Sequence, residues 1–163
     1  MFLTCLKIGD IITPPKELIE SLSHLRRERS NFYYGLLCQY AHDISLMEAG
    51  IEFETNPDEK GWWDRMIAGI KHDDKAALRG YNGINTCATT HTIGVTEYKP
   101  WCDEIKEGRE LVIHSFSQMN NIGSYDFRYE GALAFSRIEA AASRFDSTRC
   151  FNRNYAYKTA RLV

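Results

Sequence analysis

The sequence predicts an α+β fold, in which an N-terminal helical half packs on a small, mostly antiparallel β-sheet and one further helix precedes a C-terminal strand. Three observations favour this fold. Apolar residues recur about every 3.6 residues in the first third of the chain, which is the period of an α-helix. After Gly83 the composition changes to Thr, Ile, Val and Tyr in alternating patterns, which are typical of strands. The 163 residues, 44% of them hydrophobic, suffice for one domain with its own core.

The first helical signal follows Thr13-Pro14-Pro15, where a capping hydroxyl precedes a proline at a helix start. An apolar stripe of helical period then runs from Leu18 to Met47, and Gly50 ends it. The stripe is interrupted just before Ser30, which can cap a helix of its own. A break at that point is therefore favoured slightly over one continuous helix.

A second helix is predicted after Asn56-Pro57, because the acidic residues that follow suit the positive end of a helix dipole. Its apolar stripe would comprise Trp63, Met66, Ile67 and Ile70. Asp73-Asp74 is then expected to cap a short third helix that ends at Gly80.

Three strands are predicted in the second half of the chain, over residues 86–98, 110–118 and 125–130. A turn rich in Asn and Gly separates the last two strands. A helix is expected from Gly131 to about residue 145, and a final strand over residues 149–162.

The charge balance and the targeting signals exclude several classes of protein. The chain has 20 basic and 22 acidic side chains, so no global field selects nucleic acid or a membrane as partner. We expect one domain over residues 1–163, with a helical sub-region 1–80 and a sheet-rich sub-region 81–163. Because neither a secretory signal nor a membrane-spanning run is evident and five cysteines are widely spaced, we expect a soluble cytoplasmic protein, of a cell or of an infected host cell.

The leading functional prediction is a small partner-binding regulator or inhibitor without catalytic activity, a profile shared by host-directed phage and viral proteins. Adjacent Trp62 and Trp63 cannot easily enter one core from one helix, so one ring is expected at a partner interface. The neighbouring charged residues Glu59, Asp64 and Arg65 complete the predicted contact surface. Residues 52–64 carry five acidic side chains against Lys60 alone, which favours a basic partner. Self-association stays open as a further way of covering the ring.

One alternative is a metal-independent nuclease or phosphodiesterase. His91 and His114 fall on two strands that the sequence predicts to be neighbours, where a pair of imidazoles could act as general acid and base. Asp126 or Glu130 on the next predicted strand could orient one of them. The competing interpretation is that both histidines are ordinary sheet residues, because the sequence does not determine strand register.

A second alternative is a module that binds single-stranded nucleic acid through the C-terminal segment. Cationic side chains for phosphates alternate there with aromatic rings for base stacking. The residues that carry this hypothesis are Arg149, Arg153, Tyr155, Tyr157, Lys158 and Arg161. The competing interpretation is an edge strand whose charges prevent aggregation.

The cysteines and histidines give two weaker patterns. Cys38 and His42, four apart on a predicted helix, could share a zinc ion, but Cys87 and His91 lie on a predicted strand and would be too far apart. Cys87, His114 and Asp126 also occur in the chain order of some cysteine hydrolases, although a triad is defined by geometry and not by order. We therefore expect no metal site and no cofactor.

Overall fold

The structure is a computed structural model, and the fold, as described below, is α+β with three α-helices. The residues that it describes are 4–27, 30–58, 61–78, 90–119, 123–136, 143–144 and 148–152. The helices are α1 (Lys16–Ser21), α2 (Ser30–Glu48) and α3 (Val95–Lys106), and a short 3-10 turn, Ser23–Leu25, follows α1.

A six-stranded mixed sheet forms the centre of the fold. Its strands are β1 (Ile11–Ile12), β2 (Glu54–Thr55), β3 (Arg65–Ile67), β4 (Ile70–Ala77), β6 (Leu111–Gln118) and β7 (Phe127–Ala134), in the spatial order β1-β7-β6-β4-β3-β2. Only β4 and β6 are parallel neighbours among these strands, so the sheet is mostly antiparallel. A second, antiparallel sheet has the order β5-β9-β8, with β5 (Thr90–Gly94), β8 (Ser143–Arg144) and β9 (Thr148–Asn152).

The two long helices cover opposite faces of the six-stranded sheet. On the α2 face, Tyr33 and Leu37 of the helix pack with Val112 and Phe116 of β6. On the α3 face, Trp101 packs with Ile113 and with Phe135, which follows β7. Successive residues of β6 therefore pack into different cores, because side chains alternate between the two faces of a strand. Among the described residues, no helix is long and apolar enough to cross a membrane.

Several elements match the sequence prediction. The helix α1 begins just after Pro14-Pro15, and α2 begins at Ser30, the favoured break point. Gly50 follows α2 with a φ of 73°, a left-handed conformation that glycine adopts without strain. The strand β6 matches the predicted strand 110–118 within one residue at its start, and β9 overlaps the predicted C-terminal strand.

The predicted helices between Asn56 and Gly80 are wrong, because this segment forms the β3–β4 hairpin. Ala68 and Gly69 both have positive φ, which is the conformation of a two-residue hairpin turn with the twist that strands need. The apolar spacing of Met66, Ile67 and Ile70 suits a helical turn as well as a hairpin. The hairpin prevails because β4 gains a ladder on each side, with β3 and with β6.

Two other predictions need correction. The predicted strand 86–98 is a strand only over Thr90–Gly94 within its described part, and α3 takes the place of its end and of the connection that follows. Trp101, Glu104 and Ile105 recur at helical spacing along α3 and face the sheet. The predicted helix from Gly131 is also wrong at its start, because Gly131 to Ala134 belong to β7 and pair with β6.

Candidate active site

A cavity of about 390 Å³ opens to solvent between the first half of α2, the loop before β3, the middle of β4 and the beginning of α3. One hairpin strand, two helices and a loop thus contribute to one concave surface. Its lining residues are Phe32, Gly35, Leu36, Gln39, Gly61, Asp64, Asp73, Asp74, Lys75 and Glu97.

Hairpin register brings two of these carboxylates to the same end of the hairpin. Arg65 pairs with His72 in the antiparallel ladder, which places Asp64, one residue earlier, opposite Asp73. The Asp64 N–H donates to the His72 carbonyl at 2.8 Å, and the Asp74 N–H donates to Asp64 Oδ2 at 2.7 Å. Backbone hydrogen bonds therefore fix where the Asp64 side chain lies.

Lys75 and Glu97 complete the charged part of the cavity. Lys75 lies two residues after Asp73 on β4, so both side chains are on the α3 face of the sheet. Its ammonium is 3.3 Å from Asp73 Oδ2 and donates to Glu97 Oε2, in the first turn of α3, at 2.5 Å. Burial opposes a charge on Lys75, but Asp73 and Glu97 together raise its pKa, so it remains an ammonium ion.

The Asp73 carboxylate is short of partners. Its side chain is only 6% exposed, and its Oδ2 accepts no hydrogen bond from any described residue, although Lys75 is close. Burial raises the pKa of Asp73 well above its usual range, with Lys75 opposing the shift. Burial and the nearby Asp74 raise the pKa of Asp64 to about 7. A second positive charge in the cavity would stabilise both carboxylates in their ionised form.

On the other face of β4, by contrast, the charges are fully paired. Arg65 is 0% exposed and donates through both terminal nitrogens to Asp74, at 2.9 and 2.6 Å, and through Nε to Asp43 of α2 at 2.5 Å. His42 Nδ1 lies 3.0 Å from Asp74 Oδ2. Although burial alone would raise it, Arg65 and His42 hold the pKa of Asp74 well below its usual range.

Two neutral histidines extend this network. His72 Nδ1 is 2.7 Å from His114 Nε2, and His114 Nδ1 is 2.9 Å from the Tyr129 hydroxyl. Burial lowers the pKa of His72 to about 4 and that of His114 well below its usual range. One nitrogen of this pair has to donate and the other to accept, so the two imidazoles cannot both be protonated.

The same region contains a possible metal-ligand group, His42, Asp74 and His114, whose ligand atoms lie within 4.8 Å of one another. The contacts of these atoms argue against a metal there. Both oxygens of Asp74 accept from the Arg65 guanidinium, and both nitrogens of His114 have hydrogen-bond partners. This group is therefore best understood as a hydrogen-bonded structural network.

The predicted partner surface is only partly accessible. Trp62 and Trp63 lie in the loop before β3, not on a helix, and both are half-buried. Trp62 packs against the core around Trp101, and the Lys71 ammonium is 4.6 Å from the centre of its ring. Arg65, expected at the interface, is wrong for that role because its guanidinium is fully buried. Of the acidic residues in this prediction, Asp64 lines the cavity, and Glu59 lies outside the described residues.

The prediction that His91 and His114 lie on neighbouring strands is wrong. The strand β5, which carries His91, pairs with β9, whereas β6, which carries His114, pairs with β4 and β7. The His91 side chain is outside the described part. Asp126 precedes Phe127, which pairs with Gln118, so the register separates it from His114 by several residues. It accepts a hydrogen bond from Thr13 instead, at 2.6 Å.

The other sequence-based site predictions fall largely outside the described residues. Arg149 has only its backbone described, in β9, and the nucleic-acid-binding residues after it are not described. Cys38 is fully buried, burial raises its thiol pKa, and its predicted partner His42 contacts Asp74 and Thr4. Cys87 lies outside the described chain.

Sequence reasoning missed the group formed by Asp64, Asp73, Lys75 and Glu97. The spacing of Asp73 and Lys75 is a signal that was present in the sequence. Side chains two residues apart lie on the same face only if the segment is a strand. The helix prediction concealed it, because residues two apart on a helix point about 200° apart. The sequence predicts Glu97 to be near the end of the strand 86–98, where nothing relates it to Asp73 or Lys75.

Comparisons with family models, with curated proteins and with solved structures found no match to this chain. The geometry of the cavity is therefore the basis for a functional assignment.

Proposed function

We propose that the cavity binds a divalent cation and that the protein hydrolyses phosphodiester bonds of a nucleic acid. The observation that carries the proposal is the buried Asp73 carboxylate, which lines an open cavity with one oxygen that accepts no hydrogen bond. Asp64 and Glu97 line the same cavity with further carboxylate oxygens, and Lys75 supplies a fixed positive charge.

The donor set favours Mg²⁺ over zinc. The cavity offers carboxylate oxygens, which are the ligands that Mg²⁺ prefers, while its other coordination positions stay open to water and substrate. No cysteine or histidine is among the lining residues. The nearby imidazoles of His42, His72 and His114 belong to the hydrogen-bonded network on the other face of β4.

Lys75 favours an anionic substrate over a neutral one. Two carboxylates alone could serve as the acid and base of a glycosidase. The ammonium held between Asp73 and Glu97 would then have no evident use, whereas beside a phosphate it would stabilise the negative charge that develops during attack. In the hydrolysis, the oxygen of one water adds to phosphorus and releases a proton to solvent, the bond to the leaving oxygen breaks, and that oxygen takes a proton from solvent.

This function belongs to the same reaction class as the predicted nuclease alternative, but it uses other residues and a metal. It replaces the expectation of no cofactor. The leading prediction of a regulator without catalytic activity remains a competing hypothesis, and the assay that follows separates the two.

A cleavage assay tests the proposal. Labelled single- and double-stranded DNA and RNA are incubated with the protein in Mg²⁺, in Mn²⁺ and in EDTA. We expect cleavage of at least one substrate with metal and none in EDTA. Asp73→Asn should lower the rate about 100-fold or more, because it removes the central ligand. Asp103→Asn, the same change at an exposed position of α3, is the matched control and should keep full activity. Absence of cleavage in all conditions contradicts the proposal.

A second candidate function, binding of a protein partner, has the support of one separate observation. An open groove of about 950 Å³ lies between the end of α2, β2 and the β3–β4 turn. Its lining includes Met47, which is 67% exposed, and Glu52 and Glu54 are the only charged residues among the described lining. Because β2 is the edge of the six-stranded sheet, we propose that the groove takes an extended basic segment of a protein partner as an added strand.

The heptapeptide Lys-Val-Lys-Val-Lys-Val-Lys is a suitable probe for this groove. In an NMR titration at low salt we expect shifts of the Thr55 amide, which lies on the edge strand. The double variant Glu52→Lys with Glu54→Lys should abolish them, whereas Glu17→Lys with Glu20→Lys, exposed on α1, should not. No shifts, or equal shifts in both double variants, would contradict this candidate.

A further inference from the structure

One buried guanidinium connects α2 to both strands of the β3–β4 hairpin beside the cavity. Arg65 lies at the start of β3 and donates to Asp74 of β4 and to Asp43 of α2. It also approaches the carbonyl of Gln39, a cavity residue of α2, at 3.4 Å. Together with the contact between His42 and Asp74, these hydrogen bonds hold the helix against the hairpin at the cavity.

The two partners of this ion pair are chain neighbours of two cavity carboxylates. Asp64 directly precedes Arg65, and Asp73 directly precedes Asp74. The Asp74 N–H also donates to Asp64 Oδ2 at 2.7 Å. A shift of Arg65 against Asp74 would consequently change the separation of Asp64 and Asp73 on the opposite face.

We propose that Arg65 is a positioning residue that sets the distance between Asp64 and Asp73 and thereby makes the cavity selective for Mg²⁺ over Ca²⁺. The inference rests on the proposed function, because it takes these two carboxylates as cation ligands. It assigns to Arg65 a role quite different from the surface contact that the sequence predicts.

The expected selectivity follows from ion size and rigidity. Mg²⁺ demands near-ideal octahedral geometry at about 2.0–2.1 Å, whereas Ca²⁺ accepts irregular geometry at about 2.3–2.6 Å. Lysine at position 65 would keep the charge but lose the planar fork that binds Asp74 through two nitrogens and Asp43 through a third. A less well-fixed pair of carboxylates should lose Mg²⁺ affinity and keep more of its Ca²⁺ affinity.

Isothermal titration with Mg²⁺ and with Ca²⁺ tests this inference on the wild-type chain and on Arg65→Lys. We expect Arg65→Lys to weaken Mg²⁺ binding by about 10–100-fold and Ca²⁺ binding by markedly less. The control is Ile67→Ala, a buried change in the same strand, which lowers stability without altering the ion-pair network. Because Ile67→Ala should affect stability alone, we expect it to leave the ratio of the Mg²⁺ affinity to the Ca²⁺ affinity unchanged.

The outcomes separate this inference from the function on which it rests. If the wild-type chain binds neither cation, the proposed function fails and the inference with it. If the wild type binds Mg²⁺ and Arg65→Lys preserves the affinity ratio, only the inference is overturned. Should Arg65→Lys fail to fold, Asp43→Asn loosens the same guanidinium at its α2 contact. A several-fold fall in the ratio would then support the inference, and an unchanged ratio would overturn it.

Discussion

The two faces of β4 differ in how completely their buried carboxylates are paired. On the α2 side, Asp74 is surrounded by Arg65 and His42, and its oxygens accept several hydrogen bonds. On the α3 side, Asp73, the residue before it, has one oxygen without a hydrogen bond and shares the Lys75 ammonium with Glu97. Adjacent aspartates on one strand thus differ in their hydrogen bonds and in their supply of positive charge. The fully paired face acts as structure, and the other face, where Asp73 has only a shared ammonium, is where we propose that a cation binds.

The largest effect on stability is expected when Asp74 and Asp73 are each replaced by Asn, in two separate variants. Asp74→Asn leaves the buried Arg65 without its main counter-charge and should lower the free energy of unfolding by about 3–5 kcal/mol. Asp73→Asn should raise it by about 1–3 kcal/mol in EDTA near pH 7.5, because it removes a carboxyl whose pKa burial has raised.

Urea denaturation of the two variants measures both changes. Opposite signs would support the contrast between the faces. If Asp73→Asn proved as destabilising as Asp74→Asn, Asp73 would be a structural residue already satisfied within the fold.

A smaller effect concerns pH and sharpens the contrast on the cavity side. The folded chain holds a proton on Asp64 up to about pH 7, whereas an unfolded Asp releases it at about pH 4. The stabilising contribution of this proton is therefore complete below about pH 4 and is lost as the pH rises to about 7. In EDTA, wild type should lose about 2–4 kcal/mol over that range relative to Asp64→Asn.

Saturating Mg²⁺ should remove most of this loss, because it binds the ionised carboxylates and releases their protons. Denaturation series at several pH values, with and without Mg²⁺, provide the measurement. Parallel pH curves for wild type and Asp64→Asn would show that the Asp64 carboxyl titrates normally.

The smallest effect is expected in the histidine network. Tyr129→Phe removes the hydroxyl that pairs with His114 Nδ1 and should lower stability by about 1–2 kcal/mol. Because the described hydrogen bonds of Tyr129 and His114 join no cavity residue, the rate of phosphodiester cleavage should stay within about twofold of wild type. A large loss of cleavage with little loss of stability would instead connect the network to catalysis.

The parts of the fold that depend on local sequence were predictable, and those that depend on pairing were not. The α2 helix has a long apolar stripe between a cap and a glycine, and β6 has a clear run of strand-forming residues. The β3–β4 hairpin, by contrast, has a spacing of Met66, Ile67 and Ile70 that suits either structure. Ladders with β6 decide between them, and they involve residues about 40 positions away.

The candidate site was hidden for the same reason. Asp73 and Lys75 face the same side only on a strand, so their relationship depends on the hairpin. The contact between Asp43 and Arg65 joins a helix to a strand and leaves no periodic signal in the sequence. Pro100 lies within α3 and argues against a helix there, which concealed the placement of Glu97 at the cavity.

The most direct test of the account is a crystal structure of the protein soaked in Mn²⁺, with the ion located by its anomalous scattering. The account predicts a peak in the cavity lined by Asp64, Asp73 and Glu97, within about 2.5 Å of Asp73 Oδ2 and of an Asp64 oxygen. No peak should occur between His42, Asp74 and His114, whose polar atoms are already paired. A cavity without a peak at saturating Mn²⁺, or a peak at the histidines, would contradict it.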